Sequence, residues 1–175
     1  MVISGAQMSN TNKSQFTHLK IHTQYSICEG AVKIVDLKDF CKKNKIHAIG
    51  LSDTKNLCGA LEFAENISKV GTQPIIGTQI NFKFKDQIGI LPIIANNFEG
   101  YKSIIGLSSK SYLENKTTDE PHCSFQELLN IKSGVTILSG SYRGLIGNLF
   151  AKNLLTEIDE VLKLIKDVFK DKFYL

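Results

Sequence analysis

Residues 16–30 read FTHLKIHTQYSICEG and alternate between polar and apolar side chains through their middle. In an extended segment every second residue shares a face, so His18, Lys20 and His22 point one way and Leu19 and Ile21 the other. The run then passes through Thr-Gln-Tyr-Ser to an acid and a glycine, Glu29 and Gly30. Histidines at the C-terminal end of a first, buried β-strand, with a carboxylate a few residues on, suit a metal or phosphate site at the mouth of an α/β barrel. A surface strand with ordinary polar residues fits the same segment.

Downstream, strand and helix patterns alternate. Ile34, Leu37, Phe40 and Cys41 recur at helical spacing over 33–45, and residues 47–53 (HAIGLSD) read as a short buried strand. Asn56 is placed to cap the next helix, whose stripe is Leu57, Ala60, Leu61, Ala64 and Ile67 and which Gly71 ends. Pro74 opens a third strand, PIIGTQINFKF, and residues 88–95 (IGILPIIA) form a fourth. Pro92 within that run implies an edge, a bulge or a strand end. A helix covers 97–112, and 115–122 reads as an exposed polar loop. Ser124 caps a short helix to Asn130, VTILS (135–139) is a fifth strand, and a short helix follows near 145–153. Thr156 is placed to cap the last helix, with Ile158, Val161, Leu162, Ile165, Val168 and Phe169 as its core stripe. Phe173-Tyr174-Leu175 then looks like the start of another strand. Such alternation predicts an α/β fold with a parallel sheet or barrel.

A chain of 175 residues can bury a full core as one domain, and 42% hydrophobic with 22% charged residues is ordinary for a soluble globular protein. The net charge of +4 is carried almost wholly by lysine, because Arg143 is the sole arginine. Arginine is the usual bidentate clamp for phosphate and guanine, so the composition gives little support to nucleic-acid binding by these residues. Cys28, Cys41, Cys58 and Cys123 show neither C-x-x-C pairing nor zinc spacing and read as buried reduced thiols of a cytoplasmic protein. Residues 1–15 lack a basic n-region and an apolar h-region and read as a disordered lead-in, with Met8 an alternative start. No apolar run approaches the roughly 18 residues of a membrane span.

Five stretches, in this order, carry a resemblance: HLKIHTQYSICEG, LSDTKNLCGALEF, QPIIGTQINF, IIANNFEGY and VTILSG. From about Phe16 to Leu175 the chain resembles the N-terminal PHP (polymerase and histidinol phosphatase) domain of the bacterial DNA polymerase III α subunit. The resemblance implies a distorted (β/α)7 barrel at the head of a much longer polymerase, whose palm and catalytic aspartates lie downstream. On this reading residues 16–175 are the first part of such a barrel, without its final strands or its Asp-x-His motif.

The resemblance also implies, for active members, a trinuclear metal site of Zn, Mn or Mg that hydrolyses phosphoesters through metal-activated water. Carried over position by position, the first His-x-His pair falls on Lys20 and His22, and a protonated lysine has no lone pair to give a metal. The next acid falls on Glu29. An Asp-His pair becomes Asp53-Thr54, a third acid becomes Gln79, a histidine becomes Gly89, and a cysteine becomes Ser141. Only His22 and Glu29 remain as metal donors at these positions, fewer than the three that a catalytic zinc-type site takes. Hydrolysis is therefore not expected, no catalytic residue is assigned, and no cofactor is expected. Lys20 is instead expected to replace the metal structurally, pairing with Glu29 and Asp53.

Among the remaining residues, His18 reads as a hydrogen-bonded core histidine, His47 and His122 as solvated, and Asp53 as ordering its loop or pairing with a cation. Tyr25 and Tyr101 are placed to line the barrel mouth or to pack beside a core. The functional expectation is a non-catalytic scaffold within a DNA-directed DNA polymerase (a nucleotidyltransferase of DNA replication). Its expected partners are the remainder of the α subunit and the proofreading exonuclease subunit, with DNA reached only through the full polymerase and no membrane. The alternatives are a metal-dependent phosphoesterase or 3′–5′ exonuclease of the PHP superfamily, and the product of a split or shortened gene with no role of its own. An unpaired sheet edge left by missing strands would favour self-association.

Overall fold

A computed structural model describes residues 16–116, 118–131 and 133–175. The proposed lead-in over 1–15 lies outside the described residues. In chain order the elements are α1 (Ile34–Asn44), β1 (Ala48–Thr54), α2 (Ala60–Ser68), β2 (Gln73–Phe84), β3 (Gln87–Ala95), α3 (Phe98–Leu113), β4 (Cys123–Ser124), α4 (Phe125–Leu129), β5 (Val135–Leu138), α5 (Leu145–Ala151), α6 (Leu155–Phe169) and β6 (Phe173–Tyr174). The sheet runs β1-β2-β3-β5-β6, with β4 beside β2.

The α/β class holds, but the expected all-parallel pairing does not. β1 and β2 are parallel, joined through α2, whereas β2 and β3 form an antiparallel hairpin of eight residue pairs, from Gly77↔Ile94 to Phe84↔Gln87. β3 and β5 are also antiparallel, and β5 pairs parallel with β6. The reason is connection length. Only Lys85 and Asp86 separate β2 from β3, too few to cross back for parallel pairing, and Lys85 takes up the turn with φ +52°.

Residues 16–23 were expected to form a buried first strand. They lie extended along β1 but pair with it only sparsely: Gly50 N–H donates to His18 O, Ile21 N–H to Gly50 O and Ser52 N–H to Ile21 O. Phe16, His18, Leu19 and Lys20 are exposed, and the ring of His18 meets Phe16 edge-on at 4.9 Å rather than sitting in a core.

Alternation along the strands sorts the sheet into two faces. Ile49, Leu51, Ile76, Ile80, Phe82, Leu91 and Ile93 turn to the helices. They feed two apolar clusters, one with α1 and α2 around Phe63 and Ile67, the other with α3 to α6 around Phe82, Leu128, Val161 and Ile165. The opposite face carries Thr54, Gln79, Asn81, Ile90 and Pro92, placed side by side by the β1–β2 and β2–β3 registers. Pro92 sits inside β3, immediately before the point where β5 pairing begins at Ile93, so its missing N–H falls at a local sheet end.

The helix starts separate real caps from expected ones. Asn97 accepts from Gly100 N–H at the start of α3, and Ser124 and Glu127 form a reciprocal capping box on α4. Asn56 does not cap α2; its amide donates to Tyr25 O and Thr54 O and its carbonyl accepts from Cys58 N–H, which pins the preceding turn. Thr156 lies within α6, whose N-cap position is Leu154. Of the four cysteines, none disulfide-bonded, only Cys41 and Cys123 are buried, while Cys28 and Cys58 are exposed. Burial pushes the Cys123 thiol up to about 12, and its Sγ donates to Leu107 O at 3.2 Å.

Candidate functional site

The polar face of the sheet borders a cavity of ≈ 320 Å³ lined by Lys20, His22, Cys28, Glu29, Gln79, Ile90, Gly140 and Arg143. Its floor comes from β2 and β3, one wall from the 16–30 segment, and the other from the turn that follows β5. That turn holds Gly140 at φ +82° and Ser141 at φ +64°, which swings Arg143 back over the sheet.

Asp53 organises the wall without facing the cavity. The residue is fully buried at the end of β1. Its Oδ1 accepts from Thr23 N–H at 2.6 Å and from Ser26 Oγ at 2.7 Å, and its Oδ2 accepts from Thr23 Oγ1 at 2.7 Å. Ser26 Oγ also accepts from Thr54 N–H at 3.1 Å. Two hydroxyls and an amide therefore satisfy the buried carboxylate, and the expected pairing with Lys20 is not formed. The 23–30 loop closes tightly on this anchor, since a Cβ on Gly30 would lie 2.0 Å from Thr23 O.

A second chain of contacts runs along the cavity. Gln79 Nε2 donates to Thr54 Oγ1 at 3.0 Å, and Thr54 Oγ1 donates to Glu29 Oε2. His22 Nδ1 lies 3.4 Å from Ser26 Oγ, 3.5 Å from Thr54 Oγ1 and 3.8 Å from Glu29 Oε2. Its Nε2 faces Gln79 Nε2 at 3.4 Å. Among the described residues neither Lys20 nor Arg143 is ion-paired.

The inferred site positions thus divide. Lys20, His22, Glu29, Thr54 and Gln79 come together, and Asp53 stands behind them. Gly89 is turned to the helices: it pairs with Phe82, and a Cβ there would lie 2.3 Å from Leu145 Cα. The β3 side chain that reaches the cavity is its neighbour Ile90. Ser141 is exposed and outside the lining, where Gly140 and Arg143 stand instead. Neither tyrosine lines the cavity. Tyr25 donates to Glu62 on α2 at 2.6 Å, which holds its hydroxyl above its usual range, and Tyr101 borders a separate apolar groove between α2 and α3. His122 is half-buried rather than fully solvated, with Nδ1 2.7 Å from Glu120 O.

Arg143, Cys28 and the Thr23/Ser26 pair were missed as site residues. The sequence did hold a signal for two of them: Arg143 is the sole arginine and follows a strand, and Thr-x-x-Ser follows the polar-apolar run.

A metal ion does not fit this donor set. His22 and Glu29 are the only inferred metal-capable positions at the cavity, the buried carboxylate of Asp53 already accepts three hydrogen bonds from Thr23 and Ser26, and Lys20 brings a charge that repels a cation. Among the described residues no three His, Cys, Asp or Glu side chains converge as metal ligands.

The chain was compared with known proteins. It is 33% identical over 168 residues to the DNA polymerase III subunit alpha of Haemophilus influenzae, which covers 94% of this chain and 14% of that protein. It is 32% identical over 181 residues to the namesake from Caulobacter vibrioides, covering 96% of this chain and 15% of that one. Among solved structures, an amidohydrolase from Chromobacterium violaceum with bound sulfate and no metal superposes with a TM-score of 0.53. At 8% identity, over 83% of this chain and 74% of that one, it shows likeness of fold alone. The family model described as PHP domain matches residues 18–175. On that match over nearly its whole length, the chain belongs to the PHP domain family.

Proposed function

We propose that this chain is the PHP portion of a bacterial replicative polymerase α subunit and serves it as a structural, non-hydrolytic domain. The relatives it matches are named as that subunit, and the chain spans only 14–15% of their length. Polymerisation on this reading belongs to the remainder of the α subunit, and DNA is met only there. The proofreading exonuclease subunit is a further proposed partner. No helix among the described residues is long and apolar enough to cross a membrane, and a cytoplasmic location follows from the replication role.

The observation that supports the non-hydrolytic half is the engagement of the donors. A metal-dependent phosphoesterase needs about three free protein ligands around an open coordination position. Here His22 and Glu29 are the only metal-capable inferred positions left at the cavity, and both already have partners. No cofactor is therefore assigned.

The test is metal analysis of the purified chain together with hydrolysis of bis-p-nitrophenyl phosphate and of single-stranded DNA, with manganese, zinc or EDTA. The expected result is sub-stoichiometric metal, no hydrolysis above buffer and a melting temperature indifferent to EDTA. Stoichiometric metal with EDTA-sensitive hydrolysis would establish the phosphoesterase reading instead. Primer extension by the complete α subunit with and without residues 16–175 tests the polymerase half, with loss of activity expected on deletion.

A further inference from the structure

We infer that the apolar groove between α2 and α3, with the lysines at the ends of α1 and α2, is a docking site for a protein segment carrying apolar and acidic side chains. The groove has a volume of ≈ 470 Å³ and is walled by Leu61 and Ala64 of α2 and by Phe98 and Tyr101 of α3, over Pro74 and Ile76 of β2. That volume lies within the roughly 300–1,000 Å³ of ligand sites. Leu61 and Phe98, on opposite walls, are 71% and 70% exposed, so both walls offer large apolar surface to a partner.

Charge selects the occupant. Lys42, Lys43, Lys45 and Lys69 are exposed at the C-terminal ends of α1 and α2, and none is ion-paired among the described residues. Glu65 is the one acid in the last turns of these two helices, and Asp39, a turn earlier, faces Lys38 at 3.6 Å. Two hydrogen bonds join the cluster to the groove. Thr72 Oγ1 donates to Ile46 O at 2.7 Å and Gln73 N–H to His47 O at 2.8 Å. The turn after α1 therefore lies against the start of β2, whose Gln73 and Pro74 line the groove. Helix dipoles favour cations at these ends, but they do not require an apolar neighbour. A segment whose apolar side chains fill the groove brings its carboxylates to the lysines. Four lysines without an arginine suit the carboxylates of a peptide better than nucleic-acid phosphate, and the apolar groove offers a phosphate backbone nothing. The site lies at the start of β1 and β2, away from the polar cavity, since Ala48 pairs with Gln73 and Thr54 with Gln79.

This inference does not depend on the polymerase reading, which would survive its failure. The test is selection of a phage-displayed library of random dodecapeptides on the purified chain, followed by calorimetry of the enriched peptides made synthetically. Enriched sequences should combine leucine, isoleucine or phenylalanine with aspartate or glutamate, and their saturable binding should weaken as salt is raised. Leu61→Asp and Phe98→Asp should each weaken binding at least about tenfold, as should Lys42→Glu, Lys43→Glu and Lys45→Glu together. Leu113→Asp, at an exposed apolar residue on the far end of α3, should leave binding unchanged. All the substituted side chains are exposed, so melting of the variants should match that of the parent chain. No enrichment over the bare support, enriched peptides without acidic residues, or equal binding by the groove variants would overturn the inference. A thymidine dodecanucleotide that displaces the peptides would also overturn it, with nucleic acid as the occupant.

Discussion

The two faces of one sheet are built by opposite rules. On the helix side Ile49, Leu51, Ile80, Phe82, Leu91 and Ile93 have at most 1% of their surface exposed and meet other carbon atoms. On the cavity side Thr54, Gln79, His22 and Glu29 meet one another through polar atoms, and Lys20 and Arg143 meet no acid among the described residues. The difference teaches where this domain keeps its stability. Packing fixes the helix face, while the cavity face is free to change chemistry, because its groups need partners rather than volume.

Substitutions can break that contrast, and the largest effect is expected on the helix side. Phe82→Ala should cost about 3–5 kcal/mol in denaturant unfolding, because the ring is wholly buried in the apolar cluster that the sheet shares with α3 to α6. A loss below about 1 kcal/mol would show that the face is loosely packed.

Next come the two carboxylates behind and beside the cavity. Asp53→Ala leaves Thr23 N–H and two hydroxyls without their acceptor in a buried setting and should cost on the order of 3 kcal/mol. Glu29→Ala, at a side chain 42% exposed, should cost less than about 1 kcal/mol. Equal costs would mean that Asp53 is not the anchor.

A third comparison uses neighbouring positions of β3. Gly89→His drives a side chain into the backbone of Leu145 and should destabilise by at least about 1–3 kcal/mol. Ile90→His directs its imidazole to the cavity and should fold with a loss of about 1 kcal/mol or less. The reverse order would exchange the faces assigned here.

A small, pH-dependent effect lies on neither face but at the start of α4. Burial, the strongest single influence on Glu127, opposes its ionisation. The Ser124 N–H at 2.7 Å, the Ser124 hydroxyl at 3.0 Å and Lys110 together outweigh it and hold the carboxyl below the usual range. With the folded value depressed, this group's contribution is present above the unfolded glutamate pKa of about 4.3 and disappears as pH falls through the folded value. Glu127→Gln should remove about 1 kcal/mol at neutral pH and flatten that part of the stability–pH curve. An unchanged acid limb would remove the capping box from the account.

Local periodicity made most of the fold legible. The stripe Val161, Ile165 and Phe169 announced α6, and Ser124, read as a cap, announced α4, while its partner Glu127 in the capping box was not read. Strand direction was not legible, because a two-residue turn without Gly or Asn looks like ordinary polar chain until Lys85 is seen at positive φ. Of the site, the convergence of Lys20, His22, Glu29, Thr54 and Gln79 could be read by resemblance. The choice between Gly89 and Ile90 could not, since a shift of one residue moves a strand side chain to the opposite face. Arg143 joins the cavity from more than a hundred residues beyond Lys20, a juxtaposition that only the tertiary fold creates.

The β2–β3 hairpin also bears on how the chain folds in time. Its eight residue pairs close across two residues, whereas β1 must wait for α2 to bring it to β2, and β5 for α3 and α4 to bring it to β3. Early pairing is entropically cheapest where the loop is shortest, so the hairpin is the expected nucleus. Stopped-flow refolding should show Leu91→Ala slowing the folding rate, while Ile137→Val in β5 mainly hastens unfolding.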